Sequence, residues 1–207
     1  MTESKRLLTI GLTGPTGAGK SVVSSICRQW DIPSIDTDAV YHALLVPPSA
    51  CLAELTDTFG TGICNPDGTL NRSALAAIVF SPGSSEKLEE LNRITHRFIL
   101  NKVREICLEQ AKSNVSAVLV DAPLLYESGF DRECDKVLAV LADPDTRLCR
   151  IMVRDCIPMS AAMARLRAQK PDSFYERADG VLYNNGSPDE MEAPLHDLLT
   201  GWGVRLK

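Results

Sequence analysis

A single glycine-rich segment restricts the possible folds of this chain more than any other part of it: Gly14-Pro15-Thr16-Gly17-Ala18-Gly19-Lys20-Ser21. It matches the phosphate-binding pattern G-x-x-x-x-G-K-[ST] without a mismatch. Glycines let backbone N–H groups converge on a phosphate, and the following helix points its partial positive end at the same anion. The segment lies between an apolar run, Arg6 to Thr13, and a helical pattern, Lys20 to Trp30. This strand–loop–helix context predicts a phosphate-binding loop (P-loop).

The residues around the loop indicate which groups would meet a bound nucleotide. The Lys20 ammonium would neutralise the β- and γ-phosphates, and the Ser21 hydroxyl would ligate Mg²⁺. A second apolar run, Val115 to Val120, ends at Asp121, where a carboxylate could also hold Mg²⁺, although an aspartate ending a strand is often only a turn former. The segment 101–104 lacks the aspartate of a guanine-reading N-K-x-D motif, so ATP is favoured. The predicted nucleotide contacts in the loop are Gly14, Thr16, Gly17, Ala18, Gly19, Lys20, Ser21 and Val22.

Apolar runs of strand length alternate with helical patterns along the chain. The predicted strands after the first are Ile32 to Ile35, Val115 to Val120, Lys136 to Leu141 and Gly180 to Tyr183. Helices are predicted throughout 39–112, with Ser49 and Asn71 as N-caps, and at 144–157, 160–169 and after Ser187. This alternation implies an α/β fold with a parallel sheet covered on both faces, interrupted by helical insertions at roughly 60–112 and 144–178.

Composition restricts the partners and the compartment. With 22 basic and 27 acidic residues the net charge is −5, so no global basic field attracts nucleic acid or an acidic membrane surface. No apolar run reaches the length of about 18 residues that a membrane span needs, and the polar N-terminus does not resemble a signal peptide. Seven scattered cysteines without a Cys-x-x-Cys pair suit a reducing cytosol. We therefore expect a cytoplasmic protein with no nucleic-acid, membrane or obligate protein partner.

Two acidic residues follow the second predicted strand, in Asp36-Thr37-Asp38. In a parallel sheet the carboxyl ends of the strands meet at the ligand crevice, so this pair is expected to face the P-loop. There the Asp38 carboxylate could accept the proton of an acceptor hydroxyl as that oxygen attacks the γ-phosphorus. The alternative is that Asp38 only caps the helix predicted to begin near Ala39.

Arginines are concentrated in the second insertion. Arg147, Arg150 and Arg154 recur at helical spacing and share one face. More basic residues follow in the same insertion: Arg165, Arg167, Lys170 and Arg177. These positions suit a flap that closes on polyphosphate, and the alternative is a solvated face paired with Asp143, Asp145 and Asp155.

In their order along the chain, these motifs resemble the dephospho-coenzyme A kinases over roughly residues 8–200. Besides the P-loop, the matching segments are Ile35-Asp36-Thr37-Asp38, Phe59-Gly60, Asp67-Gly68-Thr69-Leu70-Asn71-Arg72, Ile94-Thr95-His96, Asp121 to Glu127, Arg154-Asp155, Gln169, Ala178-Asp179 and Asn184-Asn185-Gly186. The resemblance implies transfer of phosphate from ATP to the ribose 3′-hydroxyl of dephospho-coenzyme A, the last step of coenzyme A synthesis. It also implies a three-layer core of the P-loop NTPase type with five parallel strands.

The resemblance further implies domains and residue roles. The core would comprise 1–59, 113–143 and 179–207, with a coenzyme A-binding insertion at 60–112 and a lid at 144–178. Lys20, Asp38 and Arg154 would be catalytic, with Asp38 as the general base, and Asn184 would join the nucleotide contacts. The substrate-binding residues would be Asp38, Arg72, His96 and Leu124. From the residues alone, a lone helical histidine such as His96 is more often structural.

This chain departs from the family pattern at several positions. Pro15-Thr16 stands where Gly-Ile is usual, Val22 where threonine is usual, Arg97 where proline is usual and Tyr183 where aspartate is common.

Two other functions stay open from the sequence. One is a P-loop kinase of another small acceptor, such as a nucleoside monophosphate or a sugar acid. The other is a nucleotide-binding regulatory protein without transfer activity.

Overall fold

A computed structural model of the chain describes residues 7–113 and 115–206, and its centre is a five-stranded sheet in the order β2-β3-β1-β4-β5. The central strand β1 pairs in parallel with β3 and with β4, and β4 pairs in parallel with β5. The strands are β1 (Leu8–Thr13), β2 (Ser34–Asp36), β3 (Ala117–Asp121), β4 (Lys136–Leu141) and β5 (Gly180–Tyr183). The predicted α/β class with five strands is confirmed; Arg6, predicted to begin the first strand, lies outside the described residues.

The described part of the chain contains eight α-helices. They are α1 (Lys20–Gln29), α2 (Thr37–Leu44), α3 (Ala50–Phe59), α4 (Arg72–Val79), α5 (Ser85–Gln110), α6 (Pro144–Asp155), α7 (Met159–Arg167) and α8 (Pro188–Gly201). Short 3₁₀ turns occupy Thr61–Ile63, Phe130–Glu133 and Asp172–Phe174. None of the helices in the described residues combines the length and apolarity needed to cross a bilayer.

The two faces of β1 pack against different parts of the chain. Ile10 and Leu12 are fully buried in a core built with residues of α1 and α8. On the opposite face Gly11 has no side chain, and a Cβ there would lie 2.9 Å from Cys134 Sγ and 3.0 Å from the Leu125 side chain. The small residue therefore lets the segment after β3 pack directly on the strand that leads into the P-loop.

The chain divides into two compact units. The nucleotide-side unit contains the described residues up to Ile35 and those from Glu109 onward, including the P-loop, α6, α7 and α8. The helical unit is Asp36–Leu108. Its own apolar core contains the fully buried residues Leu55, Ile63 and Ile94. The functional division into core, coenzyme A-binding insertion and lid stays a prediction.

Local capping in the helical unit follows the sequence in most places. The side chains of Ser49 and Asn71 cap α3 and α4 as predicted. The prediction of helix throughout 39–112 is wrong in the segments between α2, α3, α4 and α5, most clearly where an antiparallel bridge joins Cys64 to Leu70. An Asp-Gly turn interrupts the helices there: Gly68 has a φ of 82°, and the Thr69 N–H donates to Asp67 Oδ1 at 3.0 Å.

Candidate active site

The P-loop occupies the connection between β1 and α1, and its glycines are required by close neighbours as well as by backbone conformation. Gly14, Gly17 and Gly19 have φ values of 141°, 79° and 97°. A Cβ on Gly14 would lie 2.2 Å from the Val140 carbonyl oxygen, and one on Gly19 would lie 2.0 Å from Asn184 Nδ2. No side chain fits at these distances, so the sequence pattern reflects packing against β4 and the end of β5.

Lys20 and Ser21 begin the helix that follows the loop. The half-buried Lys20 ammonium donates to the Gly14 carbonyl oxygen at 3.0 Å, which brings its charge back over the loop. Ser21 is exposed in the first turn of α1, and Val22 is half-buried against the core between α1 and the sheet. An ammonium and a helix N-terminus on one loop provide the positive potential that an anionic phosphate chain requires.

Thr16 is held by three side chains from residues 144–178. Its N–H donates to Gln169 Oε1 at 3.1 Å, and its carbonyl oxygen accepts from Arg147 Nε at 3.1 Å. Its hydroxyl lies 3.4 Å from Arg154 Nη2. The sequence suggested no contact between Gln169 and the P-loop, because the two residues are 153 positions apart.

Ala18 is supported from the end of β5. Its carbonyl oxygen accepts from Asn184 Nδ2 at 2.9 Å, and Asn184 is only 2% exposed. Arg150 Nη1 donates to the Asn184 carbonyl oxygen at 2.8 Å, and Nη2 lies 3.3 Å from both Asn184 Oδ1 and the Gly186 carbonyl oxygen. The polar atoms of the Asn184 side chain thus meet the P-loop backbone and an arginine in this structure, while its predicted nucleotide contact stays a prediction.

The three arginines of α6 therefore differ in their surroundings. Arg147 is 5% exposed and forms an ion pair with Asp172 at 3.4 Å, and burial lowers the pKa of its guanidinium. Arg154 is exposed, and it donates from Nε and Nη2 to the Asp155 carboxylate at 2.7 and 3.0 Å. Arg165 of α7 pairs with the same carboxylate. The hydrogen bond from Arg154 lowers the pKa of Asp155, which favours its ionised form.

The predicted metal-binding residues offer oxygen donors. Asp121 ends β3, is half-buried and is in register with Leu12 of β1. Ser21 contributes an exposed hydroxyl at the start of α1. Within 7–113 and 115–206 no cluster of three or more His, Cys, Asp or Glu side chains could hold a metal by itself. Mg²⁺ bound through one or two protein oxygens and the phosphates of a nucleotide needs no such cluster.

Three of the four predicted substrate-binding residues, Asp38, Arg72 and His96, lie in the helical unit, whereas Leu124 lies in the nucleotide-side unit. Asp36, and not Asp38, is the N-cap of α2: its Oδ1 accepts from the N–H groups of Asp38 and Ala39 at 2.9 and 3.2 Å. The structural alternative for Asp38, that it caps this helix, is therefore wrong. The Asp38 side chain lies exposed in the first turn of α2.

Arg72, at the start of α4, is fixed by a residue that the sequence did not single out. Its Nη2 donates to His42 Nδ1 of α2 at 2.7 Å. His42 follows Asp38 by four positions on α2, so the two side chains share one helix face. A search for histidines at this spacing from an acidic residue could have identified it.

His96 is half-buried on α5, and burial lowers the pKa of its imidazole, which favours the neutral form. Its neighbour Arg97, unusual for the family, forms an ion pair with Glu54 of α3 and lies 5.1 Å from the Phe98 ring. The arginine thus joins two helices of its own unit.

A cluster of aromatic rings and a cation lies next to the strand ends of the nucleotide-side unit. The Arg177 guanidinium lies 3.7 Å from the Tyr126 ring centroid and 4.4 Å from that of Phe174. Such stacking joins the segment after β3 to the residues that lead into β5. Leu124, predicted to contact the substrate, is 57% exposed in the same segment.

Comparison with known proteins assigns the family. A family model described as "CoaE: Dephospho-CoA kinase" matches residues 8–190. The chain belongs to the dephospho-CoA kinase family. A dephospho-CoA kinase of Halalkalibacterium halodurans is 36% identical over 95% of this chain and 98% of its own length, and one of Geobacillus kaustophilus is 37% identical over 94% and 96%. The resemblance predicted from the sequence is confirmed.

Solved structures agree with this family assignment. A Thermus thermophilus protein superposes with a TM-score of 0.77 at 32% identity, covering 95% of this chain and 98% of that one. A dephospho-CoA kinase from Campylobacter jejuni gives a TM-score of 0.66 at 26% identity, covering 94% and 96%. A shikimate kinase from Bacteroides thetaiotaomicron, at 16% identity and a TM-score of 0.53, shares the fold alone. The prediction of an ATP-dependent kinase built on a P-loop core is confirmed.

Proposed function

We propose that this chain transfers the γ-phosphoryl group of ATP to the ribose 3′-hydroxyl of dephospho-CoA, giving CoA and ADP. The observation that carries the proposal is the family match across 8–190, which includes the intact P-loop and the predicted acceptor-side residues. Contacts within each unit support individual roles.

The nucleotide would be held by the P-loop backbone and by Lys20. Gly14, Gly17 and Gly19 have positive φ values, which would let amide N–H groups of the loop point toward one bound anion. The Lys20 ammonium lies over the same loop. Binding through N–H groups that are already arranged requires little reorganisation when charge moves toward the leaving oxygen. The arginine proposed to reach the transferring phosphate is Arg154, which is exposed at the C-terminal end of α6.

Ser21 and Asp121 would hold Mg²⁺, directly or through water. A hydroxyl and a carboxylate are hard oxygen donors, which suit this ion, and Asp121 ends the strand beside β1. When bound, the ion would neutralise part of the negative charge of the phosphates. The protein's part is to place these two oxygens on the elements that flank the P-loop.

On the acceptor side, Asp38 would orient the ribose 3′-hydroxyl and accept its proton. Asp36 already caps α2, so the carboxylate of Asp38 is not required for that hydrogen bond. Arg72, fixed by His42, is proposed to bind an anionic group of the substrate, and the neutral imidazole of His96 is proposed to contact its coenzyme A portion. Leu124 would add apolar contact. The cytoplasmic location and the lack of an obligate protein partner stay predictions from the sequence.

A coupled ADP-release assay with a panel of acceptors tests the proposal. The panel contains dephospho-CoA, AMP, shikimate and gluconate, each with MgATP. We expect kcat/KM for dephospho-CoA to exceed that of every other acceptor. A preference for another acceptor, or ATP binding without acceptor-dependent ADP release, would contradict it. Dephospho-CoA with its 3′-hydroxyl replaced by hydrogen serves as the matched control and should release no ADP.

A further inference from the structure

The polar groups of Thr16 make an unusual set of contacts for one loop residue. The N–H, the carbonyl oxygen and the hydroxyl each meet a different side chain, from Gln169, Arg147 and Arg154 respectively. These partners follow Thr16 by 153, 131 and 138 positions. The middle of the P-loop is therefore connected at three points to the α6–α7 segment.

The three contacts differ in how firmly the surroundings hold them. Arg147 is almost completely buried and paired with Asp172, so it fixes the Thr16 carbonyl away from solvent. Arg154 is exposed, and its contact with the hydroxyl is long at 3.4 Å. The backbone contacts therefore position the loop, while the hydroxyl contacts an exposed side chain.

Arg154 is restrained from its other side as well. The carboxylate of Asp155 accepts from two of its nitrogens and also pairs with Arg165 of α7. A series of side-chain contacts thus connects Arg165 of α7 to Asp155, Asp155 to Arg154, and Arg154 to the Thr16 hydroxyl. Arginine has five N–H donors, so these bonds leave others for a phosphate.

We propose that Thr16 is a positioning residue for phosphoryl transfer: its hydroxyl orients the Arg154 guanidinium at the P-loop. This inference rests on the proposed function of the same site and deepens it. Of the three contacts, only the one to Arg154 depends on the hydroxyl of the side chain. Because Thr16 acts through Arg154, its removal should affect the transfer step more than ATP binding.

The test uses Thr16→Val, which removes the hydroxyl while keeping the side-chain shape, and Thr16→Ser, which keeps the hydroxyl. In the ADP-release assay with dephospho-CoA, Thr16→Val should lower kcat by about three- to tenfold, the effect of losing one weak hydrogen bond. The KM for ATP should change by less than about twofold, because the backbone contacts remain. Thr16→Ser should have a higher kcat than Thr16→Val, because it keeps the hydroxyl.

A double-mutant cycle shows whether the effect passes through Arg154. In the Arg154→Ala background, Thr16→Val should cause no further loss of kcat. An equal loss in both backgrounds would overturn the proposal, as would an unchanged kcat in the single variant. A Thr16→Ser variant as slow as Thr16→Val would also overturn it, since shape would then matter and the hydroxyl would not.

Hydrogen exchange provides a readout that does not depend on the acceptor. In the nucleotide-free protein, Thr16→Val should speed amide exchange around 154–165 and leave β4 protected as in wild type. Unchanged exchange around 154–165 would contradict the contact itself. If the wild-type chain shows no dephospho-CoA-dependent ADP release, the proposed function fails, and exchange then decides the contact separately.

Discussion

The P-loop and the acceptor-side residues represent two ways of building a binding site. At the P-loop the backbone is proposed to bind the nucleotide, and groups far away in the sequence fix it: Thr16 and Ala18 are held by Arg147, Gln169 and Asn184. In the helical unit, Asp38 and Arg72 are exposed, and the contacts that hold their helices span no more than 30 positions. A backbone site is therefore sensitive to packing, whereas a side-chain site is sensitive to the chemistry of single groups.

The largest expected effect tests whether the acceptor-side site depends on the chemistry of a single side chain. Asp38→Asn keeps the shape of the side chain but removes the proton acceptor, so kcat should fall by about 10²–10⁴ while ATP affinity stays nearly unchanged. Stopped-flow ADP release and equilibrium ATP titration measure the two quantities. A variant with near-normal turnover would eliminate Asp38 as the base.

The second effect tests whether packing fixes the conformation of the P-loop. In Gly19→Ala the new Cβ would meet Asn184 Nδ2 at 2.0 Å on a residue with a φ of 97°, so the loop must move. We expect the free energy of unfolding to fall by about 1–3 kcal/mol, the usual size of local backbone strain, together with a clear loss of ATP affinity. Gly62→Ala is the matched control, because nothing lies within 4 Å of its Cβ position. Normal ATP binding by Gly19→Ala would contradict the view that packing presets the loop.

A third variant separates the two neighbouring acids. Asp36→Ala removes the N-cap of α2 and should lower the free energy of unfolding by about 1 kcal/mol, measured by urea denaturation. Asp36→Ser, which can still cap the helix, should restore most of this stability. If Asp36→Ala had no effect on stability while Asp38→Asn destabilised the protein, the assignment of cap and base would have to be exchanged.

The smallest effect concerns His96. Burial lowers its pKa below the ordinary value of 6.5, so the unfolded chain takes up a proton at higher pH than the folded chain does. The unfolding free energy should therefore decrease as the pH falls below about 6.5, and His96→Gln should weaken this dependence. Urea denaturation from pH 8 to pH 5 measures the difference between variant and wild type, and His196→Gln, which alters an exposed imidazole on α8, is the control. A difference that does not vary with pH would contradict burial of His96.

Much of the architecture could be predicted because the relevant signals are local. The strand of Gly180–Tyr183 and the capped start of α8 were predicted at the right residues, since apolar runs and capping residues act on their own neighbours. The turn at Asp67-Gly68 was missed inside a long helical pattern. Its signal, an Asp-Gly pair, was present but was outweighed by the surrounding apolar periodicity.

The three arginines of α6 show what helical spacing can and cannot predict. Their spacing correctly placed them on one helix face, but periodicity does not reveal what lies opposite that face. Only the fold shows that Arg147 meets the P-loop, that Arg150 meets the end of β5, and that the exposed Arg154 lies next to both Asp155 and the Thr16 hydroxyl. The alternative that these arginines pair with nearby acidic residues was right for Arg154, which pairs with Asp155. Arg147 pairs with Asp172 instead.

Local patterns were enough to predict a P-loop between a strand and a helix, a parallel α/β core and a resemblance to the dephospho-CoA kinases. Those features are encoded over a few residues at a time, by glycines, apolar runs and caps. The contacts of Gln169, Arg147 and Asn184 with the loop backbone became visible only in the folded chain. Such contacts join residues more than 130 positions apart, and only the packing of the folded chain brings them together.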